Sequence, residues 1–343
     1  MDVFGMVLDP GVNIAAQHIS PALTLAAVPG ELLDSMPWYL LLISVLYLGY
    51  HPRHGVRLAV LIGITSGLNE ALKLAWHLPR PYWISPEVKA FTSHPSFGFP
   101  SGAAMYGAAA YGYIAAAVQD RRAIAVCALL LAATCLVRIF VGAHFVADII
   151  GGLLSGFLLL LVFLWAEPRM ERYAGNLSRS GRCAGIIVLA AIPPVLTIPA
   201  YTALANWQLP AAWAATALGQ TGAAIDPVAI RYAWGAAGVI LGSLAGYEGL
   251  LAQGGWEPPA ALRRRAPVVL AGTGSVLAAW AVAATIPAGS GLPDPVPQVL
   301  SVIFPAAVLF WLTCCVPLIA RRAGYGRAER SEAGRGEPRA GGR

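Results

Sequence analysis

The cationic side chains Lys73, Arg80 and Arg138 lie in or beside stretches that are otherwise apolar. A charge at membrane depth is costly, so each of these residues is a functional candidate. Pro79 and Pro81 end the helix that carries Lys73, which predicts that Arg80 lies on a loop just above it. Three cations brought together would bind a tetrahedral dianion such as a phosphate group.

A second segment, FGFPSGAAM, places Pro100, Ser101 and Gly102 at the start of a predicted helix. The backbone N–H groups of a first helical turn have no acceptor within their own helix. A helix start of this kind therefore favours anions. It would add hydrogen-bond donors to the three cations.

The third segment, VRIFVGAHFVADIIGG, holds His144 and Asp148 four residues apart, which places them on one helical face. Asp148 can accept a hydrogen bond from one imidazole nitrogen and leave the other nitrogen free. A histidine held in this way can act as a nucleophile. Phosphoryl transfer through a phosphohistidine is the chemistry that uses all three segments. Taken alone, the same two residues would equally suit a structural polar pair between helices.

The composition indicates which elements must position these residues. The chain has 343 residues, of which 57% are apolar and 12% charged, and its mean hydropathy is +0.65. About a quarter of the residues of a soluble domain are charged, so the sequence predicts an all-α integral membrane protein. The net charge of +6 lies in loops between apolar stretches. This placement makes the bilayer the expected partner and argues against nucleic acid.

Nine apolar stretches are long enough, or nearly so, to cross a bilayer as helices of ~20 residues. With the N-terminus outside, the inner loops and the C-terminal tail hold 18 of the 23 Lys and Arg residues, as the positive-inside rule favours. Nine spans then place the C-terminus in the cytoplasm and all three polar segments on the extracytoplasmic face. The stretches cover about 36–50, 56–75, 101–118, 123–143, 145–165, 183–204, 229–251, 267–287 and 297–320.

This topology divides the chain into four parts. The N-terminal segment is extracytoplasmic and weakly amphipathic near Glu31 and Asp34. The tail is rich in Gly, Arg and Glu, so we expect it to be a disordered basic cytoplasmic extension. The parts are the N-terminal segment 1–35, a five-span region 36–165 that contains the candidate catalytic core, four further spans in 166–320, and the tail 321–343.

Together the three polar segments resemble the type 2 phosphatidic acid phosphatase superfamily, whose pattern is KxxxxxxRP, then PSGH, then SRxxxxxHxxxD. The resemblance covers roughly residues 70–160. It implies a metal-independent phosphatase that needs no cofactor, because the cations take the place of a metal ion at the phosphate. The roles it implies are phosphate binding by Lys73, Arg80 and Arg138, further donors from Ser101 and Gly102, attack on phosphorus by His144, and support of His144 by Asp148.

Two positions depart from the family pattern. Val137 replaces the Ser that usually precedes the Arg, and Ala103 replaces the His of PSGH that protonates the leaving oxygen. A general acid contributes about 10²–10⁴-fold to a rate. We therefore expect the chain to bind phosphate better than it turns a phosphate ester over, whether Ala103 is a natural residue or an inactivating substitution.

The substrate is left open between two classes. Within the superfamily the wording of the motifs and the nine spans are most similar to glucose-6-phosphatase, which suggests a sugar phosphate such as glucose 6-phosphate. A lipid phosphate entering from the bilayer is the other class. The predicted site faces the periplasm of a bacterium or the lumen of the endoplasmic reticulum. A competing hypothesis is a non-catalytic phosphate or lipid-phosphate binding protein, or a transporter, that kept the anion pocket.

Three further ionisable residues have weaker signals. His94 lies on an outer loop and is a possible partial substitute for the missing acid, although an ordinary loop histidine is the more common case. Glu70 precedes Lys73 by one helical turn and is expected to pair with it. Glu248 falls within the seventh predicted span and has no partner that the sequence indicates.

Overall fold

The computed structural model describes residues 8–19, 22, 25, 27–285 and 295–328. These residues form helices and no strands; one isolated bridge pairs Glu257 with Arg327. In chain order the helices are α1 (Gly11–Ile19), a 3₁₀ helix (Val28–Asp34), α2 (Met36–Ser44, continued by a π-helical segment Val45–Tyr50), α3 (Pro52–Trp76), α4 (Pro81–Ile84), α5 (Gly102–Val118), α6 (Arg121–Phe140), α7 (Val146–Gly175), α8 (Arg179–Ala203), α9 (Ala211–Thr221), α10 (Arg231–Ala252), α11 (Leu262–Ala284), α12 (Val296–Phe310, continued by a π-helical segment Trp311–Cys315) and α13 (Val316–Arg322).

Every predicted apolar stretch corresponds to a helix in the part of the chain that the structure describes. Seven helical segments are long and apolar enough to cross a membrane, and an eighth is added if the 3₁₀ helix and Met36–Tyr50, bent by 54°, count as one span. Helix α5 has 17 residues and would rise only about 25 Å, short of the ~30 Å hydrocarbon thickness. The all-helical membrane class is thus supported, whereas the count of nine and the orientation stay predictions.

Helix α3 lies at the centre of the bundle and packs against α5, α8 and α10. Small residues allow these close approaches. A Cβ atom at Gly67 would come within 2.5 Å of Pro193 in α8, and one at Gly152 in α7 would come within 2.5 Å of the carbonyl oxygen of Ser101. Contacts of this kind bring the start of α7 against the start of α5.

Helices α10 and α12 form a second close contact. A Cβ atom at Gly238 or Gly242 would clash with the carbonyl oxygen of Val302 or Ala306. These two glycines therefore act as packing residues. They let two backbones approach where a larger side chain would hold them apart.

Two features of the second half differ from the sequence interpretation. Glu248 does have a partner, because Arg182 Nε donates to its Oε2 at 3.0 Å; the two residues are 66 positions apart, so no local pattern reveals the pair. At the start of the predicted tail, Trp256 Nε1 donates to the carbonyl oxygen of Tyr325. Residues 329–343, the rest of that tail, lie outside the described residues.

Helix α9 was not predicted and covers the loop after α4. Gln220 accepts a hydrogen bond from the backbone N–H of Ala90 at 2.9 Å and donates to the carbonyl oxygen of Ser85. Trp213 packs on Trp83 with ring centroids 6.2 Å apart. These contacts fasten the segment between α4 and α5, which forms one wall of the candidate site.

Candidate active site

The predicted site residues gather at one end of four helices. They come from the end of α3, the start of α5, the end of α6 and the start of α7, with Arg80 just before α4. Because consecutive helices run in opposite directions, these termini share one side of the bundle. The side chains or backbones that meet there are buried: Lys73, Arg80, Ser101, Ala103, Arg138, His144 and Asp148.

His144 and Asp148 form the predicted pair, but they do not share a helical face, because α7 begins at Val146 and His144 lies in the turn before it. The imidazole Nδ1 lies 3.1 Å from Asp148 Oδ2, and the same oxygen accepts the backbone N–H of Phe145 at 2.9 Å. A proton on Nδ1 that is donated to the carboxylate leaves Nε2 unprotonated, with a lone pair that can accept a hydrogen bond or attack phosphorus. The tautomer follows from this hydrogen-bond network. The geometry is that of a nucleophile oriented by a carboxylate.

Arg80 lies directly beside that lone pair. Its Nη1–H donates to His144 Nε2 at 3.2 Å and to the carbonyl oxygen of Ala143 at 3.0 Å. Its Nε–H donates to the carbonyl oxygen of Ser96 at 2.7 Å. Three acceptors from two loops thus fix the guanidinium plane next to the nucleophilic nitrogen.

Ser96 links Arg80 to Lys73. The Ser96 hydroxyl accepts from Arg80 Nη2 at 3.1 Å and from Lys73 Nζ at 3.2 Å. Lys73 also donates to the carbonyl oxygen of Phe97. No sequence signal pointed to Ser96, because it precedes the PSG segment by several residues and belongs to no recognised spacing.

Arg138 has carboxylate partners that the sequence did not indicate. Its Nη2 forms an ion pair with Glu31 Oε1, and its Nη1 lies 3.3 Å from Asp34 Oδ2. Its Nε is buried and has no hydrogen-bond partner among the described residues. The sequence placed Glu31 and Asp34 only in a weakly amphipathic lead-in, whereas the 3₁₀ helix brings both into the site.

The start of α5 is positioned by its neighbours. The Ser101 hydroxyl accepts the N–H of Ala104 as the helix N-cap, and the Ser101 N–H donates to the carbonyl oxygen of Asp148 at 2.9 Å. The N–H groups of Gly102 and Ala103 occupy the first two helical positions, where a helix leaves donors without an internal acceptor. Ala103 is fully buried and brings no titratable group to this end of the helix.

The N-terminal helix α1 also reaches the site. Asn13 is buried, and its amide donates to the carbonyl oxygens of Ile139 and His144 at 3.1 and 3.0 Å. Gln17 donates to the carbonyl oxygen of Phe140. These bonds hold the turn between α6 and α7 that carries His144, a role that no motif in the sequence suggested.

His94 forms a second histidine–carboxylate pair. Its Nε2 lies 3.2 Å from Glu31 Oε2 and 3.0 Å from Thr92 Oγ1. Its backbone is fixed as well, since the His94 N–H and carbonyl group both bond to the Tyr82 hydroxyl at 3.0 Å. His94 is therefore ordered and partly buried, unlike an ordinary loop histidine.

Burial and the surrounding cations lower the pKa of both histidines. For His144, which lies between the candidate spans, burial is the main cause, followed by Arg80, Lys73 and Arg138, and its pKa falls well below the usual value of 6.5. For His94, burial lowers the pKa to about 4, although the hydrogen bond to Glu31 raises it. An unprotonated His144 is the form that a nucleophile requires.

The expected pairing of Glu70 with Lys73 is electrostatic. Glu70 is buried one turn before Lys73, and the charge of each residue acts on the other. The Lys73 ammonium group itself points to Ser96 and Phe97. Within the described residues, no group of three or more His, Cys, Asp or Glu side chains is arranged to hold a metal ion.

A comparison with protein families matches this part of the chain. Residues 54–171 match the family model of the PAP2 superfamily. This region, about a third of the chain, resembles the PAP2 superfamily. The matched PAP2 region contains α3 to α7 for most of their length, and with them every site residue that the sequence predicted. The match supports a phosphatase or lipid-phosphate hydrolase in the membrane.

A solved structure is also similar to the chain. It is the crystal structure of the first transmembrane PAP2 type phosphatidylglycerolphosphate phosphatase from Bacillus subtilis, with 20% identity and a TM-score of 0.43. The alignment covers 50% of this chain and 90% of that chain. A likeness of this degree carries no argument about the substrate. A search of curated proteins found no significant match.

Proposed function

We propose that the protein is a membrane phosphohydrolase that cleaves a phosphate monoester through a phosphohistidine on His144. The observation that carries the proposal is the position of His144 between Asp148 and Arg80. Its Nδ1 lies 3.1 Å from the carboxylate, and its Nε2 lies 3.2 Å from a guanidinium nitrogen. A phosphate oxygen bound by Arg80 would bring phosphorus next to the nucleophilic nitrogen.

The reaction divides into two steps. In the first, His144 Nε2 attacks phosphorus, the bond from phosphorus to the leaving oxygen breaks so that the alcohol or phenol departs, and Asp148 stabilises the imidazolium that forms. Arg80 and Lys73 bind the phosphate oxygens and neutralise the charge that develops on them. In the second, water attacks the phosphohistidine, inorganic phosphate leaves and His144 is regenerated. Every group in this scheme belongs to the protein, so the proposal includes neither a metal nor a cofactor.

Arg138 would contribute in two ways. Its two Nη groups already bind Glu31 and Asp34, so its buried and unpartnered Nε–H is the donor available to a phosphate oxygen. The carboxylates hold the guanidinium in place and reduce the net charge of the pocket. The Gly102 N–H and the Ser101 turn complete the proposed phosphate site at the start of α5.

Ala103 leaves the family position of the leaving-group acid without a proton donor. We therefore propose that activity toward esters with poor leaving groups, such as alkyl phosphates, is impaired. Aryl phosphates and diphosphates depart more readily without protonation and should be the better substrates. Introduction of a histidine, Ala103→His, should raise turnover of alkyl phosphates by about 10²-fold.

The substrate class stays open between a soluble sugar phosphate and a lipid phosphate. We propose that the site faces the extracytoplasmic side, with the N-terminus outside and the C-terminus in the cytoplasm, because the positive-inside distribution favours that orientation. Labelling of cysteines introduced at residues 2 and 343 with an impermeant thiol reagent shows on which side of the membrane each residue lies. The exposed Cys183 should first be replaced by Ser. Labelling of residue 343 but not residue 2 in intact cells would reverse the orientation.

The enzymatic proposal is tested by phosphate release from a panel of sugar, lipid and aryl phosphates. The purified chain and its Ala103→His form are compared on each ester. Release from at least one ester, with a gain in the histidine form, is the expected result. If neither form releases phosphate although both bind it, the protein is a phosphate or lipid-phosphate binder or transporter.

A further inference from the structure

The site contains one histidine that the two-step scheme does not use. His94 is partly buried, its backbone is anchored on Tyr82, and its Nε2 faces Glu31 and Thr92. Among the described residues, no protein group forms a hydrogen bond with its Nδ1. The arrangement repeats that of His144 and Asp148, in which one ring nitrogen binds a carboxylate and the other nitrogen is left for chemistry.

Two short chains of contacts connect His94 to the nucleophile. On one side, Ser96, two residues along the same loop, binds Arg80, which binds His144 Nε2. On the other side, Glu31 binds both His94 and Arg138. The carbonyl oxygen of Arg138 in turn accepts the backbone N–H of His144 at 3.3 Å. His94 is therefore linked to the nucleophile through Arg80 on one side and through Arg138 on the other, from the loop before α5.

We propose that His94 supplies the proton to the leaving group, as a less effective replacement for the acid absent at Ala103, and that Glu31 is the positioning residue that orients it. The inference rests on the proposed function, because it assigns a proton donor to that reaction. In the family pattern the acid comes from the start of α5. Here the acid, His94, comes from the loop 92–97. Its positioning residue, Glu31, comes from the N-terminal 3₁₀ helix, which lies outside the matched region.

The step balances without another reactant. As the bond between His144 Nε2 and phosphorus forms, the bond from phosphorus to the leaving oxygen breaks, and the proton on His94 Nδ1 moves to that oxygen. The alcohol or phenol departs neutral, and His94 becomes neutral. In the second step His94 Nδ1 accepts a proton from the attacking water. The bond between Nε2 and phosphorus then breaks, and inorganic phosphate leaves.

The charged groups around His94 determine when it carries that proton. Burial opposes its protonation most strongly, the hydrogen bond to Glu31 favours it, and Arg80 and Arg138 oppose it; His94 and His144 also interact electrostatically. In the empty site these influences keep the pKa low, at about 4. A bound phosphate dianion adds negative charge beside both arginines and therefore raises the pKa of His94 when the proton is needed.

The test compares two esters that differ only in the leaving group, p-nitrophenyl phosphate and phenyl phosphate. His94→Gln should lower kcat for phenyl phosphate by ~10²-fold and kcat for p-nitrophenyl phosphate by much less. Glu31→Gln should shift the alkaline limb of the phenyl phosphate profile to lower pH, because the neutral amide stabilises protonated His94 less. Asp34→Asn is the matched control, since Asp34 contacts Arg138 but not His94; it should affect both esters equally.

A second-site substitution keeps the test decisive. Adding Ala103→His to His94→Gln should restore turnover of phenyl phosphate, because it returns an acid to the pocket. Equal losses for both esters in His94→Gln, or no loss, would overturn the role of His94 and leave the proposed function standing. If the unsubstituted chain releases phosphate from neither ester, the proposed function fails and this inference fails with it. If His94→Gln does not fold, the Glu31→Gln profile decides the question, and an unshifted limb overturns the proposal.

Discussion

The two halves of the bundle are stabilised by different kinds of contact. At the site end of α3, α5, α6 and α7, buried charged groups bind each other and the backbone, as in the contacts of Arg80 with Ser96 and His144. Between α10 and α12, small residues bring two backbones together, with Gly238 and Gly242 against carbonyl oxygens. Chemistry and packing are thus separated along the chain.

The second half nevertheless supports the first. Thr197 in α8 donates to the carbonyl oxygen of Gly67 at 3.2 Å, and Gly67 lies against Pro193. These contacts hold α3, which carries Lys73 at its end. Substitutions in the second half should therefore affect stability first, and those at the site should affect turnover first.

The largest expected effect is that of His144→Ala on turnover. Loss of the nucleophile should lower kcat for p-nitrophenyl phosphate by ~10⁴-fold or more, while the affinity for inorganic phosphate largely survives because Arg80 and Lys73 remain. Steady-state kinetics and phosphate binding to the purified protein measure the two quantities. His18→Ala, at an exposed position of α1, is the matched control. Turnover at the parent rate in His144→Ala would remove His144 from the mechanism.

The packing side of the comparison is tested by Gly242→Ala. The added methyl group would clash with Ala306, and such overpacking costs about 1–3 kcal/mol. We expect a lower unfolding temperature in detergent and an unchanged kcat per folded molecule. Gly274→Ala in α11 adds the same methyl group where nothing lies within 4 Å and should leave the unfolding temperature nearly unchanged. Equal effects of both substitutions would contradict the role assigned to the α10–α12 contact.

The protonation of His144 gives a third test, at the site itself. A histidine with the ordinary pKa of about 6.5 would be roughly 90% protonated at pH 5.5. Because burial and nearby cations lower the pKa of His144 well below that value, its imidazole should still be neutral there in the ligand-free protein. Histidine NMR, with the signal assigned by its loss in His144→Ala, measures the titration. A midpoint near 6.5 would show that the cations do not act on His144 as the structure indicates.

The smallest expected effect is that of Arg182→Ala. This substitution removes the ion pair with Glu248, in which both side chains are about one-third exposed. Partly exposed pairs contribute about 0.2–1 kcal/mol, so the unfolding temperature should change little and kcat not at all. A loss of activity would mean that the second half takes part in the chemistry, and the separation of the two halves would not hold.

The sequence predicted the residues whose roles follow from local spacing. His144 and Asp148 are four residues apart, and Arg80 lies between two prolines after the end of a helix, so their placement depended on short segments alone. The all-helical membrane class followed from the composition and from the apolar stretches, neither of which depends on contacts between distant residues. These features are local, and the family match over residues 54–171 covers them.

The contacts that the sequence missed join residues over long separations along the chain. Glu31 meets Arg138 across 107 positions and His94 across 63, and Asn13 reaches His144 across 131. Such pairs depend on how the N-terminal segment docks on the bundle, which no periodicity encodes. The short helix α9 was missed because its 11 residues are too few to be recognised as a span. Helix α9 packs on the segment between α4 and α5, which carries His94 and Ser96.

The central claim is that His144 becomes phosphorylated, and acid-quench trapping tests it most directly. The protein is mixed with a phosphorus-labelled aryl phosphate, quenched within the first turnovers, and separated from free label. A phosphohistidine gives an adduct that is stable to base and labile to acid, and it should be absent from His144→Ala. An adduct of the same amount in His144→Ala, or steady turnover by the parent with no trapped adduct at any time, would contradict the account.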